Sequence, residues 1–280
     1  MLRTKTVNAF YQTNHLKPIY KNLHKIQFQD ARNNLAQIEE KINQLTSEDE
    51  LVLNDIYLLK QVLSFHSSLI TMWEEINNKK YSNSWNYLQN CLDSLRNINK
   101  FSLNNQKTDV LDFFEKQLLI LEKLYPYKIF ASIGWEVALY ECSICGKNID
   151  SFECEHEIGE LYSGEIAIGI AKDITNINHV SMVENPMDKR CVVQYEDSGH
   201  HFKGLQFLSG QLVSNQLTPI TLYDADETPR KKLNKNYVEL KRNEKCLCGS
   251  NKKFKKCCIN KKYIEEKHIE LIVHHEFKLW

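Results

Sequence analysis

Val52-Leu53-Asn54-Asp55-Ile56-Tyr57-Leu58-Leu59-Lys60-Gln61-Val62-Leu63-Ser64-Phe65-His66-Ser67-Ser68-Leu69-Ile70-Thr71-Met72-Trp73 sets the reading of the chain. Val52, Ile56, Leu59, Leu63, His66, Ile70 and Trp73 recur at steps of three and four, which places them on one face of a helix. Ser47 and Glu50 have the spacing of a capping box, so this helix is expected to begin there. The same rhythm extends outward on both sides. Leu16, Ile19, Leu23 and Ile26 carry it first, and Phe28, Ala31, Leu35, Ile38, Ile42 and Leu45 resume it after a phase shift. Tyr81, Trp85, Leu88, Leu92 and Leu95 form a further stripe. Leu111, Phe114, Leu118, Leu121 and Tyr125 form another, which Pro126 ends. An antiparallel helical bundle over residues 1–126 is expected. His66 falls on the apolar stripe with no second ligand at i+4, so it reads as a hydrogen-bonded core histidine.

Beyond Pro126 the pattern changes to short β-rich runs, Ile166–Ile170, Val180–Val183 and Cys191–Val193, separated by Gly, Asn and Asp turns. A β-rich domain over residues 127–228 follows, giving an α+β class. At its front stand Cys142-Ser143-Ile144-Cys145-Gly146 and Cys154-Glu155-His156. Cys-x2-Cys-Gly is a turn whose amides point at a sulfur, and Cys154 and His156 complete three thiolates and one imidazole for a tetrahedral zinc. Four protein ligands close a site, so it staples a fold rather than activating water. The stretch resembles a zinc-containing β unit found in bacterial and phage proteins. Glu196-Asp197-Ser198-Gly199-His200-His201 gathers groups used in hydrolysis, but adjacent residues seldom face one another. It reads as a polar loop leading into a helix carrying Phe202, Leu205, Leu208 and Leu212. A zinc hydrolase built from His179, Asp197, His200 or His201 needs an open metal position and stands as an alternative; no catalytic residue is assigned.

The last third reads as a tethered module. Residues 229–241, with Pro229, Arg230, Lys231 and Lys232, have the composition of a basic linker. Residues 242–262 hold Cys246-Leu247-Cys248-Gly249-Ser250-Asn251-Lys252-Lys253-Phe254-Lys255-Lys256-Cys257-Cys258, two short thiol pairs flanking a glycine turn and a lysine-rich hairpin. Four such thiols, Cys246, Cys248, Cys257 and Cys258, reach one tetrahedral zinc. Lys252, Lys253, Lys255 and Lys256 surround Phe254 and suggest a cationic contact surface with one aromatic. The tail, 263–280, contains a strand-like run, His268–Val273, expected to pair back onto the middle domain; His274 and His275 read as surface residues.

The run from Arg242 to Cys258 resembles the SEC-C motif, the small zinc unit at the C-terminus of the bacterial protein-translocase motor ATPase. That family's ligands fall on Cys246, Cys248, Cys257 and Cys258. Leu247 stands where the family usually has Pro and Asn251 where it has Gly, and neither change removes a ligand. The resemblance implies a docking module, since the motor's unit contacts an acidic export chaperone and related units are linked to ribosomes and anionic lipid.

Composition bounds these readings. Formal net charge is zero over 280 residues, yet Arg230 to Lys262 holds 13 Lys and Arg against two acids, so the positive charge is concentrated there. The N-terminus lacks the apolar run of a signal peptide and no stretch approaches a membrane span, so a cytoplasmic protein is expected. There, nine cysteines point to metal rather than disulfides. The expectation is a bacterial adaptor with two zinc ions that binds an acidic protein or ribosome-type partner. Nucleic-acid phosphate is the alternative ligand, in a defence or regulatory system.

Overall fold

The computed structural model describes residues 6–102, 109–233, 240–246, 252–261 and 263–276. These fall into two compact units, one up to Leu222 together with the residues from His275 on, the other Tyr223–His274.

Six helices open the first unit: α1 (Thr6–Gln12), α2 (Lys17–His24), α3 (Phe28–Asn43), α4 (Glu50–Asn77), α5 (Tyr81–Phe101) and α6 (Asp109–Leu124). The phase shift between α2 and α3 is a chain reversal at Ile26, whose φ of 57° lies in the left-handed region. α4 is the centre of the bundle and packs against α1, α3 and α5. It is buried on more than the expected face, since Leu58, Val62, Phe65, Leu69 and Met72 are fully enclosed as well as Leu63, Ile70 and Trp73. Val52 is exposed and Leu59 half-buried, whereas Asn54, Ile56 and Leu58 of the same turns are buried, so the buried face there is rotated from the expected stripe. Asp49, rather than Ser47, caps this helix. Its Oδ1 accepts from the amides of Leu51 at 2.8 Å and Val52 at 3.2 Å, while Ser47 Oγ accepts from the amide of Asp49.

The stripes on α5 and α6 are buried as expected, and α6 stops at Leu124, two residues before Pro126. His66 is a core residue, fully enclosed among Tyr20, Phe65 and Phe114. Tyr20 Oη lies 2.8 Å from its Nε2 and the Val62 carbonyl 2.7 Å from its Nδ1. Val62 O can only accept, so Nδ1 carries the proton and Nε2 accepts from the tyrosine. Burial lowers the ring's pKa from 6.5 to about 4, against the opposing effect of the Val62 bond.

The β-rich segment builds on this bundle. β1 (Phe130–Val137) pairs antiparallel with β6 (Ile174–Val183), β2 (Tyr140–Cys142) with β5 (Gly169–Ala171), and β3 (Leu161–Tyr162) with β4 (Glu165–Ile166). Of the expected strands, Val180–Val183 lies in β6. The run Ile166–Ile170 is divided between β4 and β5, and Cys191–Val193 contributes a single bridge, Val192 to Phe130. The β3–β4 turn has Ser163 and Gly164 at φ 45° and 83°, both left-handed as a tight hairpin requires. Gly164 donates its amide to Asn54 Oδ1 of α4 at 2.7 Å. Trp85 Nε1 donates to the Lys189 carbonyl at 2.7 Å, and Arg190 bonds Asn90 and Asp93 of α5. Lys189 pairs with Glu122 of α6. The expected helical and β-rich domains are therefore joined through polar anchors into one unit, and α7 (Lys203–Val213) adds Leu205, Leu208 and Leu212 to its core, with Phe202 just before it.

The second unit differs from expectation in its connection. Residues 229–233 lie in β7 (Thr221–Leu233), which pairs with β8 (Tyr263–Glu276) as a two-stranded sheet. Proline is tolerated there because an edge strand leaves amides without ladder partners. Among the described strands the terminal strand pairs with β7, whose residues 221–228 belong to the expected middle domain and 229–233 to the expected linker; residues 234–239 of that linker lie outside the described residues.

Candidate metal centres

β2 ends on Cys142, and the chain turns back so that Cys142 donates its amide to Lys147 O at 2.8 Å while its carbonyl accepts from Gly146 at 2.9 Å. Gly146 sits at φ 70°, the conformation its lack of a Cβ allows. Ser143 locks the turn to the strand region opposite: its amide donates to Ile168 O at 3.0 Å and its hydroxyl accepts from Ile168 N at 3.1 Å. A second turn, with Cys154 N donating to Ser151 O at 3.1 Å, brings Cys154 and His156 alongside. Lys147 Nζ holds that turn through Glu153 O.

The result is one cluster: ligand atoms of Cys142, Cys145, Cys154 and His156 all lie within 4.8 Å of one another. Cys145 Sγ is 3.7 Å from Cys154 Sγ, and Cys154 Sγ is 3.9 Å from His156 Nδ1. A zinc–sulfur bond of about 2.3 Å puts tetrahedral sulfurs roughly 3.8 Å apart, so the spacing fits that ion. Burial pushes the Cys142 thiol up, but the amides of Cys145 and Ile144 and the neighbouring thiols of Cys145 and Cys154 outweigh it. They hold Cys142 below the ordinary thiol value. Against the lowering effect of a His156 backbone bond, burial and the thiols of Cys145 and Cys142 push Cys154 up, so the full set of thiolates needs the charge of a bound metal. His156 is oriented by Tyr162 of β3, the rings meeting edge to face at 4.7 Å, and Tyr162 Oη accepts from the amide of Glu157 at 3.0 Å. Sequence reading missed Tyr162 and Ser143, since neither a ring packed edge-on to His156 nor a hydroxyl bonded to Ile168 leaves a spacing signal in the sequence.

The second cluster lies in Tyr223–His274. Lys245 bridges Lys253, Cys246 N donates to Lys252 O at 2.8 Å, and Phe254 N donates to Glu244 O at 2.8 Å. A single 3-10 turn, Phe254–Lys256, then delivers Cys257 and Cys258. Ligand atoms of Cys246, Cys257 and Cys258 lie within 4.8 Å, with the two adjacent sulfurs 3.6 Å apart. Cys248, with Leu247, Gly249, Ser250 and Asn251, lies outside the described residues. Lys252, Lys253, Lys255 and Lys256 are exposed. Phe254 corrects the expected contact surface: it is 3% exposed and forms the small core with Cys246 and Cys258, packed by Leu240, Cys257 and Ile259. A knob with so few apolar residues buries the one aromatic it has.

The residues weighed for hydrolysis have other occupations. Asp197 Oδ1 accepts from the amide of Ser82 at 2.7 Å and so fixes the start of α5. His201 stacks on Tyr195 at 4.2 Å, and the His179 ring lies over Gly134, where a Cβ would meet it at 2.5 Å. The side chains of His200, His274 and His275 lie outside the described residues. Among the described residues, the two cysteine clusters are the groups of three or more donors that could hold a metal ion. No described helix is long and apolar enough to cross a membrane.

Comparison with known families gives one match: residues 242–260 fit the SEC-C motif. No curated protein and no solved structure matches the chain.

Proposed function

We propose that this is a non-catalytic zinc-binding docking protein. One zinc is held by Cys142, Cys145, Cys154 and His156, and a second by Cys246, Cys248, Cys257 and Cys258. Both sites have four protein ligands and serve as staples. The observation that carries this reading is the convergence of cysteine sulfurs at tetrahedral spacing within the SEC-C match. The function assigned to the second module is capture of an acidic protein. What supports it is the exposure of Lys252, Lys253, Lys255 and Lys256 around a knob whose own core is thiol and Phe254. Clustered cations of this kind attract a polyanion and lose it to salt.

The test uses the full chain with polyglutamate and with single-stranded RNA as probes, followed by fluorescence anisotropy over a salt series. Expected is polyglutamate binding that weakens with salt and disappears in a variant with all four lysines changed to glutamate, with metal content unchanged. Binding of RNA alone would transfer the reading to nucleic-acid phosphate. Binding of neither probe would remove the docking role and leave the metal sites as the finding.

A further inference from the structure

The two zinc modules carry opposite charge. Residues 148–171, which supply Cys154 and His156, contain six acids and no Lys or Arg, whereas residues 241–262 contain nine Lys and Arg and one acid, Glu244. Bound zinc keeps the contrast. Three thiolates around a divalent ion leave one negative charge and four leave two, which puts the modules at about −7 and about +6. On the first, Asp150, Glu153, Glu155, Glu157 and Glu165 are exposed. Glu160, the sixth, pairs with Lys100 of α5. Like charges so close together repel one another and favour a counter-charge brought from outside.

Apolar groups stand among these acids. Phe152 lies in the turn that Cys154 N closes on Ser151 O and is fully exposed, and Ile158, two residues past His156, is 63% exposed. Zinc binding gives no reason for an open phenylalanine in that turn. A lysine-rich partner gives one: its ammonium groups meet the carboxylates, one of them lies over the ring, and the aliphatic stems cover Ile158. A surface of that chemistry is present in the same chain. Lys252, Lys253, Lys255 and Lys256 are exposed on the second zinc module, within and beside the Phe254–Lys256 turn. Every copy therefore brings one acidic zinc knuckle with an open aromatic and one basic zinc knob.

We propose that the acidic knuckle of one copy, centred on Phe152, is occupied by the basic knob of a second copy, so that the chain associates head to tail. This rests on the docking reading of the basic knob and names its acidic partner as a second copy of this chain. The two surfaces differ, so the contact is heterologous. Two copies close the assembly where they exchange both contacts, and further copies add where they do not.

Sedimentation velocity of the full, metal-loaded chain over a concentration and salt series tests this. A knob variant carries Lys252→Glu, Lys253→Glu, Lys255→Glu and Lys256→Glu; a knuckle variant carries Asp150→Lys, Glu153→Lys and Glu157→Lys. Expected is a mass at least twice the monomer's at about 0.1 M salt, returning to the monomer near 1 M as the Debye length falls from about 10 Å to about 3 Å. Each variant alone should be monomeric with its zinc content unchanged. An equimolar mixture of the two should recover the heavier species, because the reversed knob then meets the reversed knuckle. Phe152→Ala should raise the concentration needed for association about fivefold. A monomer under every condition overturns the proposal, as do association indifferent to salt and a variant mixture that stays monomeric. Where a charge-reversed variant loses zinc or fold, the salt series and Phe152→Ala decide, and an unchanged association in Phe152→Ala counts against the surface named here. Polyglutamate binding by a chain that stays monomeric keeps the docking reading and rejects the second copy; a monomer that binds no polyglutamate rejects both.

Discussion

Phe254→Ala separates the two roles the C-terminal aromatic could play. Phe254 is 3% exposed beneath Cys246 and Cys258, with Leu240, Cys257 and Ile259 around it. Truncating a buried phenylalanine costs about 3–5 kcal/mol. The unit Tyr223–His274 is small, so its apolar core has little in reserve, and metal affinity there is tied to folding of the knob. Where the truncation is expressed fully in metal binding, at about 1.4 kcal/mol per tenfold, affinity at this site falls roughly 100- to 3,000-fold. Competition with a chromogenic chelator reads this as two release steps. The step belonging to Cys142, Cys145, Cys154 and His156 should stay in place, and the other should move to weaker chelator concentrations. Unchanged affinity at both sites together with lost binding of an acidic probe would instead make Phe254 a contact residue rather than a core residue.

Three further outcomes follow from the first unit. The folded state keeps His66 neutral, with a pKa of about 4 against 6.5 unfolded, so its contribution is complete above pH 6.5 and is lost as pH falls toward about 4. His66→Gln should remove roughly 3 kcal/mol of that pH dependence, measured as the difference between the two proteins' urea stabilities at each pH, which cancels the shared metal sites. Gly164→Ala places a Cβ 3.0 Å from the Leu53 carbonyl at φ 83°, and should cost about 1–3 kcal/mol, seen as a lower thermal midpoint. Asp49→Ala removes the acceptor for two amides at the start of α4 and should cost about 1 kcal/mol in the same assay.

The helices were legible because their signal is local: residues three and four apart must share a face whatever they pack against. How many faces a helix buries depends on its neighbours, so Phe65 and Leu69 of α4 could not be placed inside from one stripe. Ser47 and Glu50 had the right spacing for a cap, yet Asp49, one residue before the helix, supplied it with its own carboxylate. Metal-ligand spacing is local too, and Cys142, Cys145, Cys154 and His156 converge as read. The partners of β1 and β6 lie more than thirty residues apart along the chain, and neither β1 nor the bulges that keep their apolar faces aligned could be seen in advance. Pro229 and the basic run after it have linker composition, but a two-stranded sheet accepts both. Lysines on either side made Phe254 look exposed; as the knob's one aromatic it turns inward onto Cys246 and Cys258, where Leu240, Cys257 and Ile259 pack against it.

Zinc held by the two clusters is the premise of the proposed function. Elemental analysis of freshly purified, reduced protein measures this most directly. Two zinc ions per chain are expected, one removed by Cys142→Ser with Cys145→Ser and the other by Cys246→Ser with Cys258→Ser. Protein that is folded by circular dichroism yet contains no metal, or that keeps both ions in either double variant, would contradict it.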